Sequence, residues 1–284
     1  MRHHSSIAAA AVMAAVLMTS LAAQAFDDAK YPDLSGQWVA VRLGVRGQPA
    51  FDPTKPWGLG QQAPLTPEYQ KILEQSVADQ AAGGQGIVET YACASPGMPR
   101  VINGYGQSEF VITPGTTHIL VENIRDSRRI FTDGRPWPER VEPSLLGYSI
   151  GQWIDTDGDG KFDTLEVETR FLKGPRALDP AGMPTHADNN SIIKERLFVD
   201  KTDPSRLYNE ITLIDNAFTR PWTVLKTYRR LPDKYPEWPE DRCDSEGMVK
   251  VGNETYFKSA DGTIMPTSKD QPSPDLRYFE STAK

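Results

Sequence analysis

The stretch Thr164-Leu165-Glu166-Val167-Glu168-Thr169-Arg170-Phe171-Leu172 alternates residue by residue. Leu165, Val167, Thr169 and Phe171 fall on one face; Glu166, Glu168 and Arg170 fall on the other. Period two with one apolar side predicts a strand that covers a core on one face and meets water on the other.

Working outward, the same period recurs on both sides. It predicts strands over Glu109–Thr113, Thr117–Ile124, Arg128–Thr132, Gly147–Ile154, Ser191–Val199, Leu207–Ile214 and Trp222–Arg229. Pro114-Gly115 and Asp133-Gly134 supply turns between them. Close spacing with short turns points to an antiparallel barrel or sandwich. Upstream, Leu34-Ser35-Gly36-Gln37-Trp38 leads into Val39-Ala40-Val41, a first strand. One helix stands out: Thr66 suits its N-cap, Pro67 its first position and Glu68 its positive end. Tyr69, Ile72, Leu73 and Val77 then share a face, and Gly83-Gly84 stops the run. Beyond Arg230 periodicity fades, so residues 231–284 read as an extended tail on the body.

The ends bound the compartment. Met1-Arg2-His3-His4 is a basic start, Ile7 to Ala22 an apolar run, and Ala23-Gln24-Ala25 a small-x-small close. This is the three-part pattern of a secretory signal, giving a mature chain from Phe26 in the periplasm or outside the cell. The expected layout is a signal peptide over 1–25, a β domain over 26–230 and a tail over 231–284. The formal charge of −7 argues against nucleic acid and anionic membranes as partners. The two cysteines, Cys93 and Cys243, suit a disulfide in an oxidising compartment, with two buried thiols as the alternative.

The strongest chemical signal is Asp155-Thr156-Asp157-Gly158-Asp159-Gly160-Lys161-Phe162-Asp163-Thr164-Leu165-Glu166. Carboxylates stand at loop positions 1, 3, 5, 9 and 12, glycine at 6 and an apolar residue at 8. Calcium takes about six to eight hard oxygens. Asp155, Asp157, Asp159, Asp163, Glu166 and the carbonyl of Lys161 are the candidate ligands of one Ca2+ ion in a structural role. The flanks read as strands rather than helices, which puts the loop at a hairpin tip. The bland alternative is an acidic turn that binds nothing.

Acid-base candidates are few. His118 sits mid-strand; His186 lies in the loop before Ser191. Asp133 and Arg135 share a turn, and Glu195-Arg196 offers an acid beside a cation. Ser149 in Gly147-Tyr148-Ser149-Ile150-Gly151 matches the letters of a nucleophile elbow but lacks its strand-turn-helix setting.

Several segments together resemble a family of exported bacterial proteins of uncharacterised function. They are Leu34-Ser35-Gly36-Gln37-Trp38, Cys93 to Arg100, Ile130 to Pro138, Gly147 to Trp153, Glu195-Arg196 and Arg220-Pro221-Trp222. The resemblance implies a secreted β protein and brings no agreed reaction. It departs at Trp137 and Tyr148, where the family often carries His, and the acidic loop is longer than the family's hairpin. Gly36-Gln37-Trp38 also resembles the opening of the first strand in lipocalins, which implies a calycin-like barrel.

Three functions stay open on the sequence. The first is a calcium-stabilised barrel holding a small apolar or aromatic molecule. The second is a cofactor-independent lyase, isomerase or hydrolase using His118, His186, Asp133, Arg135 and Glu195. The third is a structural or interaction protein. Convergence of His118, His186 and Arg135 in one cavity separates the second from the first.

Overall fold

The computed structural model describes residues 26–41, 52, 54–88, 95–103, 106–122, 127–233, 237–238, 248–251, 254–258 and 264–265. Residues 1–25, expected to be a signal peptide, the cysteines of the expected disulfide, Cys93 and Cys243, and most of the tail lie outside the described residues.

Nine strands close into one barrel in chain order: β1 (Gln37–Ala40), β2 (Gln107–Thr113), β3 (Thr116–Val121), β4 (Ser127–Phe131), β5 (Tyr148–Ile154), β6 (Thr164–Arg170), β7 (Ile192–Val199), β8 (Arg206–Ile214) and β9 (Trp222–Arg230). The mostly β expectation holds, and a closed barrel replaces the sandwich alternative. β1 closes the ring, pairing Trp38 with Ser108 on one side and Arg230 on the other. Gly36 takes φ +79 as the chain turns into β1, a conformation that favours glycine.

The barrel is not wholly antiparallel. β4 and β5 run parallel, in register at Ile130↔Ser149 and Phe131↔Ile150. A tight hairpin cannot join parallel strands. Residues 132–147 make the crossover, and Pro136, Pro138 and Pro143 suit them to irregular structure. Gly151 has a packing reason in this seam: a Cβ there would sit 2.8 Å from both Ile130 Cγ2 and the Glu166 carbonyl oxygen.

Alternation survives in the burial. Leu165, Val167 and Thr169 of β6, Ile193, Glu195 and Leu197 of β7, and Leu207, Asn209, Ile211 and Leu213 of β8 are all buried. Phe171 departs from the expected face. β6 ends at Arg170, Phe171 turns to φ 57, and its ring lies against Trp137 while Leu172 takes the buried place.

Helix α1 (Pro67–Ala81) begins as expected, with the Thr66 hydroxyl accepting from the Tyr69 N–H at 3.4 Å. With the Arg100–Asn103 turn and the β6–β7 connection it covers one end of the barrel. There Leu73, Met98, Val101, Leu178, Ala181 and Met183 join Ile119, Ile130, Ile193 and Leu213 in one core. Ser76 of α1 donates to the Ala181 carbonyl at 2.9 Å and Arg176 Nε to that of Met98 at 3.0 Å, fastening this plug. At the other end Trp38 packs with Leu34, Leu207 and Tyr228. In the tail, expected to be extended, β10 (Met248–Val251), β11 (Glu254–Lys258) and β12 (Ile264–Met265) pair as a small antiparallel sheet.

Candidate functional site

The barrel interior holds a polar network assembled from six strands. β4 brings in Arg128, β5 Ser149, β6 Thr169, β7 Glu195, β8 Asn209 and β9 Tyr228. Arg128 Nη1 donates to Glu195 Oε1 at 3.1 Å, and Nη2 donates to Glu195 Oε2 and to Thr169 Oγ1 at 3.1 Å. Asn209 Nδ2 donates to Glu195 Oε1 at 2.9 Å. The Arg128 and Glu195 side chains are 1% and 0% exposed, so the pair is fully desolvated. Burial pushes the Tyr228 hydroxyl upward, and the Glu195 charge adds to this. Glu195 therefore points inward, but its cation is Arg128. Arg196 lies outside and pairs with Glu166 at 3.4 Å. Both Glu195 oxygens are already taken, which suits bracing better than proton transfer.

The acidic loop connects β5 to β6 at the tip of an antiparallel hairpin, beyond the pair Ile154↔Thr164. Asp155, Asp157 and Asp159 each bring a carboxylate oxygen to within 4.8 Å of the others. Asp155 also accepts from the Gly158 and Gly160 N–H groups at 2.7 and 2.8 Å, and Asp159 from the Lys161 N–H at 2.8 Å. Asp163 and Glu166 stand apart from this trio. Asp163 accepts from the Thr156 and Thr164 hydroxyls at 2.5 and 2.8 Å, and Glu166 lies on β6 beside Arg196. Lys201, from the β7–β8 turn, places Nζ 2.6 Å from Asp157 and 3.1 Å from Asp163. Its hydrogen bond holds the Asp157 carboxyl below the usual range. For Asp163 burial acts upward but is outweighed by hydrogen bonds from the Thr156 hydroxyl and N–H, the Thr164 hydroxyl and Lys201, with the same net direction.

The loop also braces the N-terminal segment. The Phe162 N–H donates to the Lys30 carbonyl at 2.7 Å, and Tyr31 sits among Phe26, Trp153 and Phe162 with ring centroids 5.1–5.5 Å apart. Between this segment and the inner face of β2 lies a cleft of about 520 Å³. Phe26, Tyr31, Pro32, Leu34, Phe110 and Ile112 give it an apolar wall, with Asp28, Asp33 and Ser35 as polar members.

The other candidates scatter. His118 is on the outer face of β3, paired across the ladder with Val111 and Arg129, while Thr117, Ile119 and Val121 point inward. It does not line the barrel. His186 lies in the β6–β7 connection, against Tyr69 at 5.7 Å and beside Asp188 at 3.1 Å. Arg135 holds Asp133 at 2.6 Å in an exposed turn. These hydrogen bonds keep the Asp133 carboxyl down at about 2. Arg135 also lies 3.8 Å over the Phe131 ring and donates to the Tyr148 hydroxyl at 3.2 Å. Tyr148 and Trp137, the two departures from the resembled family, are neighbours with ring centroids 6.2 Å apart. This outer cluster covers the parallel β4–β5 seam. Among the described residues, the ladder partners of His118, the ring and acid beside His186 and the contacts of Arg135 are three separate sets.

Sequence reading passed over one pair. Lys226 stands opposite Asn209 in the β8–β9 ladder, so it faces the barrel interior. Asp179, in the β6–β7 connection, has a buried Oδ2 without a hydrogen-bond partner. Desolvation lowers the Lys226 amine, with the Asp179 charge acting against it, and desolvation raises the Asp179 carboxyl, with backbone N–H groups and the Arg100 charge acting against it. The signal was present: Trp222, Val224, Lys226 and Tyr228 share one parity of a strand, a cation among apolar neighbours.

No model of a known protein family matches the chain, and no curated protein matches it. Among the described residues no helix is long and apolar enough to cross a membrane.

Proposed function

We propose that the protein is an exported barrel that binds a small apolar or aromatic molecule, with calcium as a structural ion in the hairpin loop. The observation that carries the reading is the cleft at the β2 end. Its size falls within the roughly 300–1,000 Å³ of small-molecule sites, and its wall is mixed, somewhat more apolar than polar. The separation of His118, His186 and Arg135 leaves the enzyme reading without a common cavity.

Titration of the mature protein with N-phenyl-1-naphthylamine tests the cleft. Saturable fluorescence enhancement is expected. Ala29 is small, exposed and part of the cleft wall, so Ala29→Trp fills the space without touching the core. It should weaken the probe by about tenfold or more, the loss of roughly 1.4 kcal/mol of contact. Unchanged affinity in Ala29→Trp, with an unchanged melting point, sinks the reading.

Calcium is tested by thermal unfolding. Loop sites of this kind in extracellular modules bind at about 10⁻⁴–10⁻³ M. By linkage, about 5 mM calcium then stabilises by roughly 1–2 kcal/mol, which for a chain of this size raises Tm by about 2–8 °C. Magnesium should do little. Asp157→Asn with Asp159→Asn should abolish the shift. Lys201 competes with the ion for Asp157 and Asp163, so Lys201→Ala should tighten calcium binding. A Lys201→Ala protein indifferent to calcium would instead identify Lys201 as the loop's own counter-charge.

A further inference from the structure

Apart from Phe110 and Ile112 of β2, every residue that lines the cleft comes from one short stretch, Phe26 to Ser35. The two halves of that stretch are fastened differently. From Asp33 on it is tied to the strands that close the ring. Arg230 Nη1 donates to Asp33 Oδ2 at 2.8 Å, and Leu34 is buried against Trp38, whose Nε1 donates to its carbonyl at 3.0 Å. None of residues 26–32 is buried. Their turn, Asp28–Lys30, is closed by local hydrogen bonds from Lys30 to Asp27 and from Tyr31 to Asp28. Among the described residues, the only hydrogen bond from this half to the rest of the body is the one the Phe162 N–H donates to the Lys30 carbonyl at 2.7 Å. The Tyr31 ring has two partners beyond its own segment. Trp153 meets it edge-on from the barrel at 5.5 Å and is itself held by Thr117; Phe162 meets it from the hairpin loop at 5.1 Å.

A segment with little buried surface and one backbone tie opens at small cost. When it swings away, Phe26, Asp28, Ala29, Tyr31 and Pro32 leave the cleft, so a ligand there is held by the docked form. Its apparent affinity then falls with the fraction of molecules that are docked. Phe162 supplies both the backbone tie and one side of the clamp on Tyr31, so the loop sets that fraction. We propose that residues 26–32 are a strap over the cleft and that the β5–β6 hairpin loop is its latch, so that ordering of the loop and occupancy of the cleft favour each other. The inference rests on the cleft being the ligand site, and it makes Phe162 a positioning residue. No residue from 155 to 163 lines the cleft, so the loop acts on a ligand through Lys30 and Tyr31 and not by touching it. The coupling is reciprocal: whatever fixes the loop tightens the ligand, and the ligand fixes the loop by the same factor.

The test is hydrogen exchange of the protein with and without saturating N-phenyl-1-naphthylamine. The probe should slow the amides of residues 156–163, Phe162 above all, by about fivefold or more, the lower end of ordinary coupling between sites. The β8–β9 turn lies at the opposite end of the barrel from the β5–β6 loop, because β6, β7 and β8 alternate in direction. Amides of residues 216–219 in that turn should not respond, which separates coupling from general stabilisation. Phe162→Ala removes the ring and should weaken the probe by about fivefold; Phe162→Tyr keeps the ring and should restore it. In Ala29→Trp, where the cleft is filled, exchange in the loop should be the same with and without the probe. No saturable binding to the wild-type protein takes down the cleft reading and this inference with it. Binding that leaves residues 156–163 unchanged, slowing that is equal at 216–219, or full affinity in Phe162→Ala each overturns the latch and leaves the cleft standing.

Discussion

Arg128→Met lowers the thermal midpoint of the protein by roughly 6–20 °C, because stranding one partner of a buried ion pair costs about 3–5 kcal/mol. The geometry sets the size. Arg128 and Glu195 are 1% and 0% exposed, so neither charge has water to fall back on. With Arg128 gone, Glu195 keeps one amide donor, Asn209, for a full negative charge. Glu195→Leu strands the guanidinium in the same way, leaving Ser149 and Thr169 as its partners at 3.4 and 3.1 Å. The double variant Arg128→Met with Glu195→Leu removes both charges and recovers most of the loss. Its remaining deficit is the unmet hydrogen bonding of Ser149, Thr169 and Asn209, about 1–3 kcal/mol per stranded group at most. A urea double-mutant cycle reads the coupling directly. Additive singles, each below about 1 kcal/mol, would mean the pair is not desolvated as described. The pair also carries architecture, since Arg128 reaches from β4 into β5, β6 and β7. β4 meets β5 through only the parallel register Ile130↔Ser149 and Phe131↔Ile150. Hydrogen exchange at residues 148–151 should therefore accelerate in the single variants more than exchange in β7 or β8.

The same network shows where sequence reading stops. Period two in residues 164–172 and its neighbours was enough for the strands, because side-chain parity is local. Thr66-Pro67-Glu68 was enough for the helix start, because capping is local too. Which strand pairs with which is not local. Nothing in Arg128-Arg129 says that Arg128 is the inward one and that its acid comes 67 residues later. The adjacent Arg196 was the natural partner on paper and is the wrong one in space. The parallel seam was hidden for a related reason. Asp133-Gly134 reads as a hairpin turn, but Arg135, Trp137 and Tyr148 pack together across the barrel's outer face and carry the chain back along it. The acidic loop was legible as a hairpin tip and as a cluster. Its competitor Lys201 was not, because it arrives from a different turn. Lys226 was legible by parity alone, but only a closed barrel turns parity into an interior position.

Trp38→Ala lowers stability by about 3–5 kcal/mol, the usual range for emptying a buried aromatic site. Trp38 is 0% exposed and sits where the ring of strands must close. β1 is four residues long and pairs with β2 and β9 through three positions each, so backbone bonding alone holds the closure weakly. The indole supplies the rest. Its Nε1 donates to the Leu34 carbonyl at 3.0 Å, tying the approach segment to the strand. The Arg230 guanidinium lies 4.7 Å from the ring centroid and reaches on to Asp33 Oδ2 at 2.8 Å, so β9 is fastened to the same segment. Trp38→Phe separates the two contributions. It keeps most of the apolar body but strands the Leu34 carbonyl, a cost of about 1–3 kcal/mol. Arg230→Ala loses a part-exposed cation over a ring, about 0.5–1 kcal/mol, plus its contact with Asp33. The order Trp38→Ala, then Trp38→Phe, then Arg230→Ala is therefore expected in urea unfolding. If Trp38→Phe costs as much as Trp38→Ala, the hydrogen bond to Leu34 rather than burial holds β1 in the ring. If all three are nearly silent, β1 is not a closing strand, and the wall beside the cleft loses its support.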